Sequence, residues 1–311
     1  MKQKLLLIMP KFHSYEISLL SELEKNYDVK HCIYKSKDEF KINPLLRFLR
    51  KINSKFISQR NQHILESVYY SRFNKKVINV SNGDEFDILF VVKGFGLSPS
   101  TINKISAKKK VLYQWDSISR FPTVTNIYHL FDRIFTFDYS DSLCGYGSYL
   151  PNFIEKNNNA ENIKFDKHRV FFVGEYDESR FDILKRIESK CSDLGIETDF
   201  TLVSNQHNIH HQYPFISNEN VSKKEYRERF RIASIILEIS RETQNGYTQR
   251  YFEAIQSNKV VIGNKNAMYT ISEFLEMNFS DCLSLSPKVT KEEKDLSEKL
   301  IIDNWINEVL G

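Results

Sequence analysis

The sequence predicts an α/β protein of two similar-sized halves, each built on a sheet of parallel strands. Three observations carry this. Short apolar runs alternate with stretches of helical periodicity, the order that builds parallel sheets. Several runs are apolar at every position, as strands covered on both faces must be. The alternation pauses at Ile154-Glu-Lys-Asn-Asn-Asn-Ala-Glu-Asn162, a polar tract without periodicity that reads as a linker, and then restarts. A length of 311 residues fits about two domains.

In the first half the strands are Leu5–Ile8, Val29–Tyr34, Asp87–Val92, Lys110–Tyr113 and Arg133–Phe137, with helices over Ser14–Asn26 and Ser98–Ala107. In the second half Arg169–Val173 is a strand ending at Gly174. Ser179–Leu194 is a helix with Gly195 as its C-terminal cap. Phe200–Val203 is a strand, Lys223–Arg231 a charged helix, Ser234–Glu238 a strand, Thr248–Ser257 a helix and Lys259–Ile262 a strand. The stretch 291–310 repeats Leu296, Leu300, Ile301, Trp305, Ile306 and Val309 at helical spacing. The expected domains are therefore 1–155 and 165–290, followed by a helix over 291–311.

Composition narrows the functions. Lys and Arg number 44 against 40 Asp and Glu, a balance that excludes a polybasic nucleic-acid coat. Ten glycines and seven prolines among 311 residues leave little room for glycine-built loops, so the chain is mostly regular elements. Cys32, Cys144, Cys191 and Cys282 are far apart with no Cys-x-x-Cys pair, which reads as free thiols in a reducing cytoplasm. The apolar core of Met1–Pro10 is shorter than the ~7 residues of a signal-peptide h-region and reads as a buried first strand. No apolar run approaches the ~20 residues of a membrane span.

Several sharp signatures are missing: a phosphate loop, a Gly-x-Ser-x-Gly elbow and a complete dinucleotide fingerprint, for Gly94-Phe-Gly96 and Gly145-Tyr-Gly147 both lack the third glycine. No two aspartates stand two apart, so no Asp-x-Asp element is present to hold a diphosphate through a cation, and no metal is expected. His207-Asn-Ile-His210-His211 has no carboxylate or cysteine close by to complete a metal shell and reads as a solvated loop.

One segment stands out, 234–263. It reads as a strand, a polar loop, a helix opening near Gly246-Tyr247-Thr248, and a second strand. Gly246 lets backbone approach a ligand, and Thr248 is placed to cap the helix. Free amides and the positive helix end would then face the loop as an anion site. Arg241 and Arg250 add forked donors suited to phosphate oxygens. Glu253, one turn in, can accept two hydrogen bonds from a ribose diol. The same spacing also suits a capped surface helix with exposed arginines.

The run Gln244-Asn-Gly246-Tyr-Thr248-Gln-Arg250-Tyr-Phe-Glu253, followed by Lys259-Val-Val-Ile-Gly-Asn264, resembles the carboxy-terminal half of GT-B glycosyltransferases of bacterial lipopolysaccharide and surface-polysaccharide clusters. The resemblance implies two Rossmann-like domains facing a cleft, with the final helix crossing back to the first. It implies that Glu253 holds the nucleotide ribose, with Gln244, Gly246, Thr248 and Arg250 around the donor. The first glutamate of that family's pair falls at Asn245 here. Val170-Phe-Phe-Val-Gly174 with Arg180 is similar to the opening of the nucleotide-binding half, where the arginine faces the diphosphate. Val111–Asp116 and Phe131–Asp138 look like strand ends bordering the cleft.

The implied activity is transfer of a sugar from a nucleotide-sugar donor to a growing lipopolysaccharide, capsule or other surface glycan, including a lipid-linked one, without a metal. Arg180, Arg241, Arg250 and the amides near Gly246 would meet the leaving-group charge. An inverting reaction also needs a base, and His13, Asp116 and Asp138 follow predicted strands, where open α/β sheets bind ligands. Trp115 beside Asp116 would desolvate that carboxyl and raise its pKa, although Asp116 equally suits a turn cap. Leu45–Ile57 carries Arg47, Arg50, Lys51 and Lys55 among apolar residues. It suits either peripheral contact with an anionic inner leaflet or a solvated helix packed on the first domain. A nucleotide-sugar epimerase or hydrolase of the same architecture, or a non-catalytic subunit of a polysaccharide assembly complex, remains an alternative.

Overall fold

A computed structural model describes residues 2–12, 14–35, 70–156, 168–204, 213–240, 245–265 and 267–311. The chain divides into two compact units, Met1–Asn152 with Ile302–Gly311, and Phe153–Ile301.

The first unit holds β1 (Gln3–Pro10), α1 (Tyr15–Asn26), β2 (Tyr27–Tyr34), α2 (Ser71–Ser81), β3 (Glu85–Val92), α3 (Pro99–Asn103), β4 (Ser106–Gln114), a 3-10 helix (Pro122–Leu130), β5 (Arg133–Thr136), α4 (Tyr139–Leu143) and β6 (Ser148–Tyr149). Its six strands are all parallel in the order β2-β1-β3-β4-β5-β6. Leu5–Met9 and Leu89–Val92 are buried at every position, which explains their unbroken apolar runs. The expected helix over Ser98–Ala107 is one turn only. Ser98 caps it, accepting from Thr101 N, and pairing with β3 recruits Ser106 and Ala107 into β4.

The second unit holds β7 (Arg169–Glu175), α5 (Glu178–Leu194), β8 (Glu197–Val203), β9 (Ile216–Ser217), α6 (Lys223–Ile232), β10 (Ile235–Glu238), α7 (Gln249–Gln256), β11 (Val260–Gly263), β12 (Tyr269–Thr270), α8 (Ile271–Glu276), α9 (Phe279–Leu283) and α10 (Lys291–Lys299). The sheet is again parallel and six-stranded, in the order β12-β11-β10-β7-β8-β9. α5 starts under the Asp177 cap and ends at Gly195, whose φ of 67° is the left-handed geometry that closes a helix without a Cβ penalty.

The stretch expected as one final helix is two. α10 stays with the second unit, where Gln256 Nε2 donates to Ser297 Oγ at 2.9 Å and the Tyr251 hydroxyl donates to Glu293. The last helix, α11 (Ile302–Leu310), belongs to the first unit. There Trp305 packs edge-on to Tyr113 at 4.7 Å, and its indole donates to Pro151 O at 3.0 Å. The break between them falls where Ile301 pairs with Ile154 in a parallel bridge. Most of the linker tract lies outside the described residues.

Candidate functional site

In the second unit the order of strands reverses between β7 and β10: β8 and β9 lie on one side, β11 and β12 on the other. A crevice at the carboxyl ends on either side of such a reversal is where open α/β sheets bind ligands. Four of the expected donor-site residues converge there. Gly174 is the penultimate residue of β7, and a Cβ on it would stand 3.7 Å from Arg180 Nη1. Arg180, in the first turn of α5, donates from Nε to Ile239 O at 3.1 Å and from Nη1 to Glu175 O at 3.3 Å. Gly246 and Thr248 lead into α7 from the end of β10.

Thr248 occupies the N-cap position of α7, but its side chain does not cap the helix. Its hydroxyl turns to Glu238 Oε2 at 2.7 Å, and its amide donates to Oε1 at 3.2 Å. Glu238, 1% exposed at the end of β10, also accepts from Ser240 Oγ at 3.1 Å. This carboxylate escaped sequence reasoning. The one signal was a charged residue closing an otherwise apolar strand. By taking the threonine, Glu238 leaves α7 without a cap from its N-cap side chain, and its own carboxylate, bonded to the Thr248 amide, stands at the positive end of the helix.

Arg250 also meets backbone carbonyls. Its Nη1 donates to Leu237 O at 2.9 Å and its Nη2 to Val173 O at 2.6 Å. The guanidinium lies over the Phe172 ring at 4.5 Å, and its buried Nε has no partner. It therefore ties β10 to β7 through their backbone carbonyls. Glu253 lies three residues further along α7, accepting from the Tyr226 hydroxyl of α6 at 3.0 Å. Burial pushes its carboxyl above the ordinary glutamate range, against the pull of Tyr226, Arg250, Arg227 and Lys223. Arg241 and Gln244 lie outside the described residues, as do His13, His207–His211 and the basic stretch 45–57.

The first unit reverses its strand order between β1 and β3. Asp116 follows β4, and Trp115 does not isolate its carboxyl. Oδ2 pairs with Lys93 Nζ at 2.6 Å and Oδ1 with Arg120 Nη1 at 3.1 Å. Asp138 is a structural cap: 2% exposed, it accepts from Ser140 N at 2.9 Å and Asp141 N at 3.3 Å to start α4. Both of these bonds go to Oδ1, which anchors the first turn of α4. Among the described residues no three His, Cys, Asp or Glu side chains group as metal ligands.

No family model matches the chain, and no curated protein matches it by sequence. Solved structures do. AviGT4, a glycosyltransferase involved in avilamycin A biosynthesis, superposes with a TM-score of 0.56 at 10% identity, covering 98% of this chain and 95% of that one. The UDP-GlcNAc 2-epimerase from Neisseria meningitidis gives 0.54 at 12%, covering 99% and 98%. The glycosyltransferase SnogD from Streptomyces nogalater gives 0.52 at 10%, covering 99% and 96%.

The chain has the GT-B fold. Both of its parallel sheets are thus the two Rossmann-like domains of GT-B, and the crevice beside β7 and β10 lies in the second of them.

Proposed function

We propose that this GT-B protein binds a nucleotide sugar at the crevice between β7 and β10 and transfers its glycosyl group to a growing lipopolysaccharide, capsule or other surface glycan, without a metal ion. The observation that supports the donor site is the reach of Arg180 to the end of β10 at the reversal of strand order, from which the chain leads into α7. Sugar transfer develops positive charge on the ring and negative charge on the leaving nucleotide. Arg180 and the first amides of α7 are preorganised donors for that negative charge. Removing one such donor costs roughly 3 kcal/mol of transition-state stabilisation, about a hundredfold in rate. Glu253 is the ribose-facing carboxylate in this reading. Asp116 is the base for an inverting reaction, and one of its two ion pairs opens as it takes the acceptor proton.

The GT-B fold also serves the Neisseria epimerase at a similar TM-score, and this supports a second reading, acceptor-independent conversion of the donor sugar. Incubating the full-length protein with a panel of nucleotide sugars, with and without lipid-linked or oligosaccharide acceptors, tests both. Nucleotide release that needs an acceptor supports transfer. Isomerised or hydrolysed donor without one supports the second reading. No turnover and no binding would remove both, leaving a non-catalytic subunit. No helix among the described residues is long and apolar enough to cross a membrane. Flotation with anionic vesicles tests peripheral contact through the 45–57 stretch, and salt-insensitive absence of binding rejects it.

A further inference from the structure

The first unit has its own reversal of strand order, between β1 and β3, and the segments that leave β1, β3 and β4 bring two kinds of side chain to it. The first kind is aromatic. Phe12, just past β1, and Tyr15, which opens α1, lie with ring centroids 6.2 and 6.0 Å from that of Trp115, the residue after β4. Phe12 is 43% exposed although it is a large apolar residue. An aromatic group held open at strand carboxyl ends offers a flat apolar face on which the C–H side of a sugar ring can stack.

The second kind is cationic. Lys93, the residue after β3, has a φ of 75°, a left-handed conformation that a residue with a Cβ adopts only at a cost. Its amide donates to Tyr113 O at 2.8 Å, and Gly94 beside it is packed so closely that a Cβ there would stand 3.1 Å from side-chain atoms of Ile127 and Leu112. The turn is fixed, and it carries Lys93 Nζ to Asp116 Oδ2 at 2.6 Å and to 4.4 Å from the centre of the Phe121 ring. Arg120 meets the other oxygen of that carboxylate, and its guanidinium lies 5.4 Å from the same ring. Two cations therefore share one carboxylate and one ring, which leaves one positive charge unbalanced. The nearby Glu16 carboxylate is buried and engaged with the Phe12 amide at 3.0 Å. Among the described residues Nε and Nη2 of Arg120 make no hydrogen bond, and its side chain is 48% exposed. That planar edge matches the two oxygens of an incoming anion.

Resting on the reading of Asp116 as the acceptor base, we propose that the acceptor is an anionic glycan. A sugar ring stacks on the Phe12 and Trp115 group, and its carboxylate or phosphate binds Arg120. The incoming anion competes with Asp116 for the guanidinium, so the bound acceptor itself opens one of the two ion pairs that hold Asp116. A neutral sugar fills the aromatic face and leaves both pairs closed.

Saturation-transfer NMR titrations of the full chain with methyl glucuronide, glucose 6-phosphate and methyl glucoside test this. The wild type is expected to bind at least one charged probe about tenfold more tightly than the neutral glucoside, and the tighter of the two separates a uronic acid from a sugar phosphate. Arg120→Gln should remove that preference while glucoside binding and the melting temperature hold, and Arg120→Lys should restore part of it. Phe12→Ala should weaken all three probes alike, and rising salt should weaken only the charged ones. Equal binding of charged and neutral probes, or a preference that survives in Arg120→Gln, would overturn the anionic acceptor and leave the acceptor site standing. Binding of none of the three by the wild type would overturn both.

Discussion

Arg250 shows how one side chain can satisfy a sequence pattern and still do different work. Its spacing from Gly246 and Thr248 puts it on the first turn of α7, as a phosphate-binding arginine would be. Yet both Nη atoms meet carbonyls of β10 and β7, and the Phe172 ring lies beneath. Arg250→Ala should therefore lower unfolding free energy by about 2–4 kcal/mol, since two buried acceptors lose a charged donor together with a cation–π contact. Urea unfolding of the variant checks this; unchanged stability with lost nucleotide affinity would restore the arginine to the ligand. Thr248 and Asp138 teach the same lesson. Both occupy N-cap positions, of which the sequence marks only Thr248, yet only Asp138 caps with its side chain. The difference is Glu238, a carboxylate ten residues before Thr248 that no local pattern links to it.

At the scale of elements, strand ends set the candidate site more than helix faces do. β10 and β11 finish in register, Glu238 opposite Gly263, and the loops that leave them are joined by the Asn264–Ser240 pair. The backbone of Gly263 is ordinary in φ, so its requirement is steric. Gly263→Ala should cost about 1–3 kcal/mol through overpacking and displace the Asn264 loop. Thermal unfolding measures the first effect, and a fall in diphosphate affinity beyond that seen with a remote destabilising variant measures the second. Long elements were legible in the sequence because burial on both faces leaves unbroken apolar runs in β1, β3 and β7, and α5 carries its own cap signals. The two-residue strands β6, β9 and β12 were not. Pairing to a neighbour defines them, and a pair of residues has no period.

For the molecule as a whole, stability should respond to pH through Lys259. This lysine, 3% exposed at the start of β11, donates to the carbonyls of Arg231 and Ala233 that end α6. Burial pulls its pKa down to about 8, with Arg231 adding to the fall. Between about 8 and the ordinary lysine value of 10.5 the unfolded chain binds the extra proton, so stability should rise with pH across that window. Buried tyrosines, among them Tyr34 and Tyr113, act the other way near pH 10, because burial raises their pKa values. The difference between the wild type and Lys259→Met isolates the lysine. In chemical denaturation from pH 7.5 to 9.5 the wild type should gain on the variant, and a constant difference would contradict the buried charge. The two units share the chain unevenly. α11 returns to the first unit and buries Trp305 against Tyr113, so the first unit's core includes residues about 200 positions apart.

The sequence by itself determined the alternating architecture, the two parallel sheets and the placement of a polar, glycine-containing turn between β10 and α7. These follow from local periodicity and backbone preference, which neighbouring residues impose. Only the tertiary structure decided what each arginine meets. Arg250 Nη2 donates to Val173 O, 77 residues away along the chain, and Arg180 Nε to Ile239 O, 59 residues away. Such a choice has no local signature, since hydrogen-bond competition is settled by distance in space.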